Sequence, residues 1–157
     1  MNAISVFDMF KVGVGPSSSH TLGPWKAAQH FITQLSRETK LSDVKSLDVS
    51  LYGSLALTGK GHATDIALCM GLESKDYMQI STASILSTFE SVKTKKRLQL
   101  ASEFEIAFNI DENIHFDFIS IPKHANTLKF EATLNCKDSN PIVKTYYSVG
   151  GGFVEDE

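Results

Sequence analysis

The spacing of apolar residues changes period near residue 97, and no single class of secondary structure satisfies both parts of the chain. Before that point Trp25, Ala28, Phe31, Ile32 and Leu35 recur at helical spacing, as do Ile85, Leu86, Phe89 and Val92. Each set predicts a helix with one buried face. After it, Phe104, Ile106, Phe108 and Ile110 alternate, followed by Ile114, Phe116 and Phe118 and then by Leu128, Phe130, Ala132 and Leu134. Period two is the mark of half-buried strands. Asp111-Glu112-Asn113 reads as the turn between the first two of these strands. Lys137-Asp138-Ser139-Asn140-Pro141 reads as a hairpin loop into a last strand, Ile142 to Val149. One strand falls in the first part, where Leu47, Val49 and Leu51 alternate with Asp48, Ser50 and Tyr52. The expected fold class is α+β: a largely antiparallel sheet with helices packed on one face. A chain of 157 residues is expected to form one such domain, or at most one and a half. The glycine-rich, acidic stretch from Gly150 onward reads as flexible, with residues 154–157 as the start of a linker or a truncated end.

Composition narrows the function classes. Fifteen basic against eighteen acidic residues give a net charge of −3, which argues against a nucleic-acid partner. The basic cluster Lys93, Lys95, Lys96 and Arg97 ends a helical stretch and reads as a solvated last turn facing the helix dipole. No apolar run approaches the roughly 18 residues of a membrane span, so no membrane partner is expected. Cys69 and Cys136 are the only cysteines, too few for a disulfide framework or for a zinc or cluster site of the chain's own. No two histidines stand four residues apart, and no metal site is expected here. A reducing cytoplasm is the expected location.

Two polar loops carry the candidate chemistry. Val12-Gly13-Val14-Gly15-Pro16-Ser17-Ser18-Ser19-His20 holds two glycines, one proline and three serines ahead of a helix starting about Gly23-Pro24. The Ser–His juxtaposition lacks the Gly-x-Ser-x-Gly elbow of a hydrolase. Its serines either satisfy backbone N–H groups before the helix or donate to an anionic ligand. The second loop, Thr58-Gly59-Lys60-Gly61, leads from the strand to a helix expected over His62 to Met70, with Gly71 as its C′ residue. A nucleotide P-loop is excluded, because the glycine spacing is one residue too long and Gly61 stands where a hydroxyl must hold magnesium. A glycine-rich turn at a helix start still suits a carboxylate or phosphate, and packing alone would equally explain its glycines. His62 opens that helix, with Asp65 placed either to orient it or to cap the first turn. His124, in Pro122-Lys123-His124-Ala125-Asn126, lies in a connection between strands, where scaffolds display functional side chains. His30 carries no signal, and His115 reads as exposed.

The stretch from Ser5 to Pro24 resembles the N-terminus of bacterial iron–sulfur L-serine dehydratases (L-serine deaminases), and Leu51 to Asp65 is similar to that family's second signature. The loop around His124 and the run Tyr147 to Phe153 correspond to two more. In this family a β domain, here residues 1–153, joins a catalytic α domain in the same polypeptide or as a separate chain. The resemblance implies conversion of L-serine to pyruvate and ammonia on a 4Fe–4S cluster bound by the α domain. The open iron would act as Lewis acid on the substrate hydroxyl. It also implies a homo-oligomer. The β domain is similar, too, to the allosteric substrate-binding domain of some phosphoglycerate dehydrogenases.

Carried onto this sequence, the resemblance makes His62 and His124 the proton-handling candidates, with either one open as the base. It makes Ser17, Ser18, Ser19, His20, Thr21, Lys60, Gly61, Asp65 and Asn126 the candidates for binding substrate. Many family members have proline after the histidine at position 124; Ala125 stands there in this chain. For the two loops to share one edge of the sheet, the helix from Gly23 is expected to pack on the strand ending near Tyr52. Two roles follow. Either the chain contributes residues to a composite active site and is inactive alone, or it is a ligand-binding regulatory module without a chemical contribution.

Overall fold

The computed structural model describes residues 17–118, 124–136 and 138–157. The start of the stretch from Ser5 and the first part of the serine-rich loop lie outside them. The alternation at Leu47, Val49 and Leu51 is realised in a ten-residue strand, β1 (Val44–Gly53), whose buried residues face one side. Two short strands follow, β2 (Arg97–Leu100) and β3 (Phe104–Ala107), then β4 (Ile114–Asp117), β5 (Asn126–Leu134), β6 (Ile142–Gly150) and β7 (Phe153–Asp156). The main sheet has the order β4-β1-β5-β6-β7, and β2 and β3 form a separate hairpin. Every pairing in the main sheet is antiparallel except β1 with β4. Register aligns the apolar residues across strands: Leu51 stands opposite Leu128 and Val49 opposite Phe130. The fold is α+β with a mostly antiparallel sheet, as expected.

The helices are α1 (Leu22–Glu38), α2 (Ser54–Thr58), α3 (Thr64–Leu72), α4 (Thr82–Lys95) and the single turn α5 (Ile110–Asn113). Trp25, Ala28, Phe31, Ile32 and Leu35 of α1 are all buried. Phe31 stacks on Phe130 of β5 with ring centroids 4.9 Å apart, and Phe130 meets Tyr146 of β6 edge-on at 5.6 Å. Aromatic contacts of this kind seat the helix layer on the sheet. α1 lies against α3 and over β5, β6 and β7. The expected packing of α1 on the end of β1 is therefore corrected: β1 receives α2 instead.

Four further expectations change. Gly71 is not a C′ residue but a buried position inside α3, where a Cβ would collide with the Trp25 carbonyl and the Ala28 methyl. The glycine serves the close approach of two helices. The turn Asp111–Asn113 belongs to α5 and does not make a hairpin, because β3 pairs with β2 while β4 crosses to β1. The tail read as flexible forms β7, paired with β6 from Tyr146 opposite Asp156 to Gly150 opposite Phe153. Leu86 and Phe118, placed by periodicity on buried faces, are exposed. Among the described residues no helix is long and apolar enough to cross a membrane.

Candidate functional site

The end of the sheet where β1 finishes and β5 begins is also where the serine-rich loop arrives. At the end of β1 Gly53 adopts φ 60°, and a Cβ there would strike the carbonyl oxygen of Ala125. The chain then turns into α2, and the Ser54 N–H donates to that same Ala125 oxygen at 2.9 Å. His124 and Ala125 are thus fastened beside the first residue of α2. Register does the rest: Gly53 pairs with Asn126, and Thr127 with Tyr147 of β6.

The loop Ser17–Thr21 closes on itself before α1. Ser17 carbonyl accepts from the His20 N–H at 3.2 Å and from the Thr21 hydroxyl at 2.7 Å, and Ser18 carbonyl accepts from the Gly23 N–H at 2.9 Å. Thr21 is buried, and its hydroxyl is engaged in this turn. Two hydroxyls from distant elements pin the loop from below. Thr64 Oγ1 donates to the His20 carbonyl at 2.6 Å, and Ser148 Oγ donates to the Ser19 carbonyl at 2.8 Å. Gly23 has no Cβ because one would occupy the place of the Ser148 hydroxyl. The serine hydroxyls do not cap α1; those of Ser17 and Ser19 turn instead to Nδ1 of His20, at 3.2 and 2.9 Å. Nε2 of His20 meets Ser54 Oγ at 3.0 Å.

His62 does not open α3. It ends a 3₁₀ turn, Lys60–His62, and Ala63 in the left-handed region separates it from the helix. A specific bond holds its ring instead. His62 Nδ1 lies 2.8 Å from the Thr58 carbonyl oxygen, which can only accept, so Nδ1 carries the proton and Nε2 presents its lone pair. Asp65 does not supply this bond; its Oδ1 accepts the N–H of Ile66 at the start of α3. Burial raises the Asp65 carboxyl above its ordinary range, against hydrogen bonds and the nearby Lys60 and Lys93 charges. His124 is held in the opposite sense. Its Nδ1 accepts the N–H of Asn126 at 3.0 Å, so the neutral ring carries its proton on Nε2. Thr127 Oγ1 donates to the His124 carbonyl at 2.7 Å, completing the turn.

These bonds bring several of the expected residues together. The rings of His20 and His62 lie with centroids 5.0 Å apart. Asn126 Nδ2 donates to the Ser148 carbonyl at 3.3 Å, and Ser148 in turn holds Ser19, which links the His124 turn to the serine loop. Asn126 Oδ1 is buried without a hydrogen-bond partner. Lys60 and Gly61 are exposed at the rim, with Lys60 Nζ 5.3 Å from the centroid of the Phe116 ring. Ser18 is also exposed. Ser54, Thr58, Thr64 and Ser148 organise the cluster although none was among the candidate site residues, even where a candidate loop or signature run contained them; each acts through a single hydroxyl or carbonyl, and for Ser54, Thr64 and Ser148 the partner is remote in sequence.

Three curated proteins are similar to this chain in sequence along nearly all of its length. The chain is 44% identical over 155 residues to L-serine dehydratase 2 of Escherichia coli (strain K12), covering 98% of this chain and 34% of that protein. It is 44% identical over 156 residues to an L-serine dehydratase of Streptomyces coelicolor, covering 99% of this chain and 34% of that protein. It is 38% identical over 157 residues to an L-serine dehydratase of Helicobacter pylori (strain ATCC 700392 / 26695), covering all of this chain and 34% of that protein. The chain thus spans about a third of the length of the curated relatives it matches. Residues 5–157 match the family described as serine dehydratase beta chain, and with the relatives' identity along nearly its whole length the chain belongs to that family.

Proposed function

We propose that this chain supplies the proton-transfer and carboxylate-binding half of a composite active site that converts L-serine to pyruvate and ammonia, completed by a catalytic α partner. The reading is carried by the opposite proton placement on His62 and His124, which gives the site one basic and one donating Nε2. His62 removes the substrate Cα proton onto its free Nε2, while the Nδ1–H bond to Thr58 stabilises the imidazolium that forms. His124 offers its Nε2–H as a hydrogen-bond donor to a substrate oxygen. The hydroxyls of Ser17 and Ser19 receive the carboxylate. Loss of the Cα proton and of the hydroxyl as water leaves 2-aminoacrylate, which tautomerises to the imine and takes up water to release pyruvate and ammonia.

The residues of this chain do not fit an iron–sulfur cluster. Cys69 is fully buried in α3, where burial pushes its thiol far up and the nearby negative charges of Asp65 and Glu73 push it further in the same direction. Cys136 follows the end of β5 remote from Asn126. Among the described residues no three metal-ligating side chains gather. A 4Fe–4S group would accordingly be held by the α partner, and the part of the reaction assigned to this chain is limited to binding the carboxylate and moving the Cα proton.

The test is His62→Ala in the complete enzyme with its α partner loaded. A loss of kcat of about a hundredfold or more supports the reading. Unchanged kcat with only a displaced substrate-saturation curve overturns it in favour of a regulatory module.

A further inference from the structure

One buried imidazole is surrounded by three serine hydroxyls. His20, 8% exposed, has Ser19 Oγ at 2.9 Å and Ser17 Oγ at 3.2 Å from Nδ1, and Ser54 Oγ at 3.0 Å from Nε2. Ser17 Oγ and Ser19 Oγ are themselves 3.1 Å apart. Both ring nitrogens are therefore engaged by the protein's own side chains.

A neutral imidazole offers one N–H and one lone pair, so its tautomer decides where these hydroxyl protons point. With the proton on Nε2, the Nδ1 lone pair draws in the proton of Ser17 or Ser19 and turns that hydroxyl away from a ligand. With the proton on Nδ1, Ser54 donates to Nε2 and Nδ1–H donates to the serine oxygens. Neither the Ser17 nor the Ser19 proton is then drawn into the ring. Only this second arrangement suits an anion, and a chain of bonds running one way strengthens each member.

We propose that His20 is a positioning residue: with its proton on Nδ1 and Ser54 behind it, it directs the Ser17 and Ser19 hydroxyl protons toward the substrate carboxylate. The inference rests on the reading that this loop receives the carboxylate of L-serine. Burial holds the His20 imidazole below its ordinary value, against a hydrogen bond at Ser54 and together with the neighbouring His62, so the ring stays neutral and keeps its one lone pair for Ser54. Thr64 and Ser148, bonded to the carbonyls of His20 and Ser19, fix the loop in the register that the hydroxyl pair needs.

The test measures discrimination between L-serine and L-serinamide, in which a neutral amide replaces the carboxylate, as the ratio of kcat/KM values, in the complete enzyme. The amide of glutamine reaches the place of Nε2 and that of asparagine the place of Nδ1. His20→Gln keeps the Ser54 side, and its discrimination is expected to fall about tenfold, the scale of one hydrogen bond to a charged group. His20→Asn keeps an amide beside Ser17 and Ser19 and should lose clearly less. A merely structural role would lower both substrates together and leave the ratio unchanged, and that result overturns the proposal. If neither His20 variant folds, Ser54→Ala decides: a reduced ratio supports the proposal and an unchanged one overturns it. The double variant Ser17→Ala/Ser19→Ala separates the two readings. An unchanged ratio there means that the loop does not receive the carboxylate. A reduced ratio there, with no change in the His20 and Ser54 variants, removes the His20 role alone.

Discussion

The hydroxyl of Thr64 donates to the carbonyl oxygen of His20 across 2.6 Å, joining the first residue of α3 to the loop that precedes α1. Thr64 is fully buried, so no water replaces this donor when it is removed. Thr64→Val keeps the shape of the side chain and strands the His20 carbonyl. It should cost about 1–3 kcal/mol in urea-unfolding free energy. It should also raise the KM for L-serine in the complete enzyme, since the loop loses its anchor.

Gly71→Ala tests the α1–α3 contact. The new methyl would meet the Trp25 carbonyl and the Ala28 side chain, both on the opposing helix, and backbone cannot give way as a flexible side chain would. Overpacking of this kind should cost about 1–3 kcal/mol, read as a lower urea midpoint with an unchanged slope.

The buried His20 makes stability depend on pH with a definite sign. Its folded pKa lies below the ordinary value of 6.5, burial being the largest cause. As pH falls below that value the unfolded chain takes up a proton that the folded chain resists. Stability from this group is therefore full above pH 6.5 and falls as the solution becomes more acidic, down to the folded pKa. Wild type and His20→Asn, compared by urea unfolding at about pH 7.5 and about pH 5.5, should differ in slope, with the larger acid loss in wild type.

The chain by itself should form no pyruvate from L-serine, even after anaerobic reconstitution with iron and sulfide. Its affinity for free L-serine should be no better than ~1 mM if, as proposed, the α partner supplies the rest of the site. Calorimetry and a pyruvate assay check the two parts. Micromolar binding without turnover would point to the regulatory role.

Much of the fold was readable from residue order alone. The alternation through Leu47, Val49 and Leu51 fixes one face of β1 because side chains of an extended strand point to opposite sides. The helical recurrence from Trp25 to Leu35 identifies the buried face of α1 by the same local geometry. The β5–β6 hairpin follows from adjacent alternating runs with turn residues between them. Less was readable where a short segment had several possible partners. Nothing local to Ile114–Asp117 specifies pairing with β1 rather than with the strand just before it. Nor does the run Phe153–Asp156 signal strand structure apart from the β6 edge that it completes.

The candidate site divides in the same way. The sequence marks the serine-rich loop, the glycine turn and the three histidines His20, His62 and His124, because unusual glycine, serine and histidine density is visible in one dimension. Tertiary structure alone decides which ring nitrogen of His62 and of His124 bears a proton, for that depends on whether the facing atom is the Thr58 carbonyl or the Asn126 N–H, and it alone brings serine hydroxyls to both nitrogens of His20. It alone ties the Thr21 hydroxyl to the Ser17 carbonyl and the Asp65 carboxylate to the Ile66 N–H, and brings in Ser54, Thr64 and Ser148. The periodicity of a chain records which faces avoid water, a property that each segment carries by itself. The direction of a hydrogen bond belongs to two groups at once, and it exists only when the folded backbone has brought them within about 3 Å.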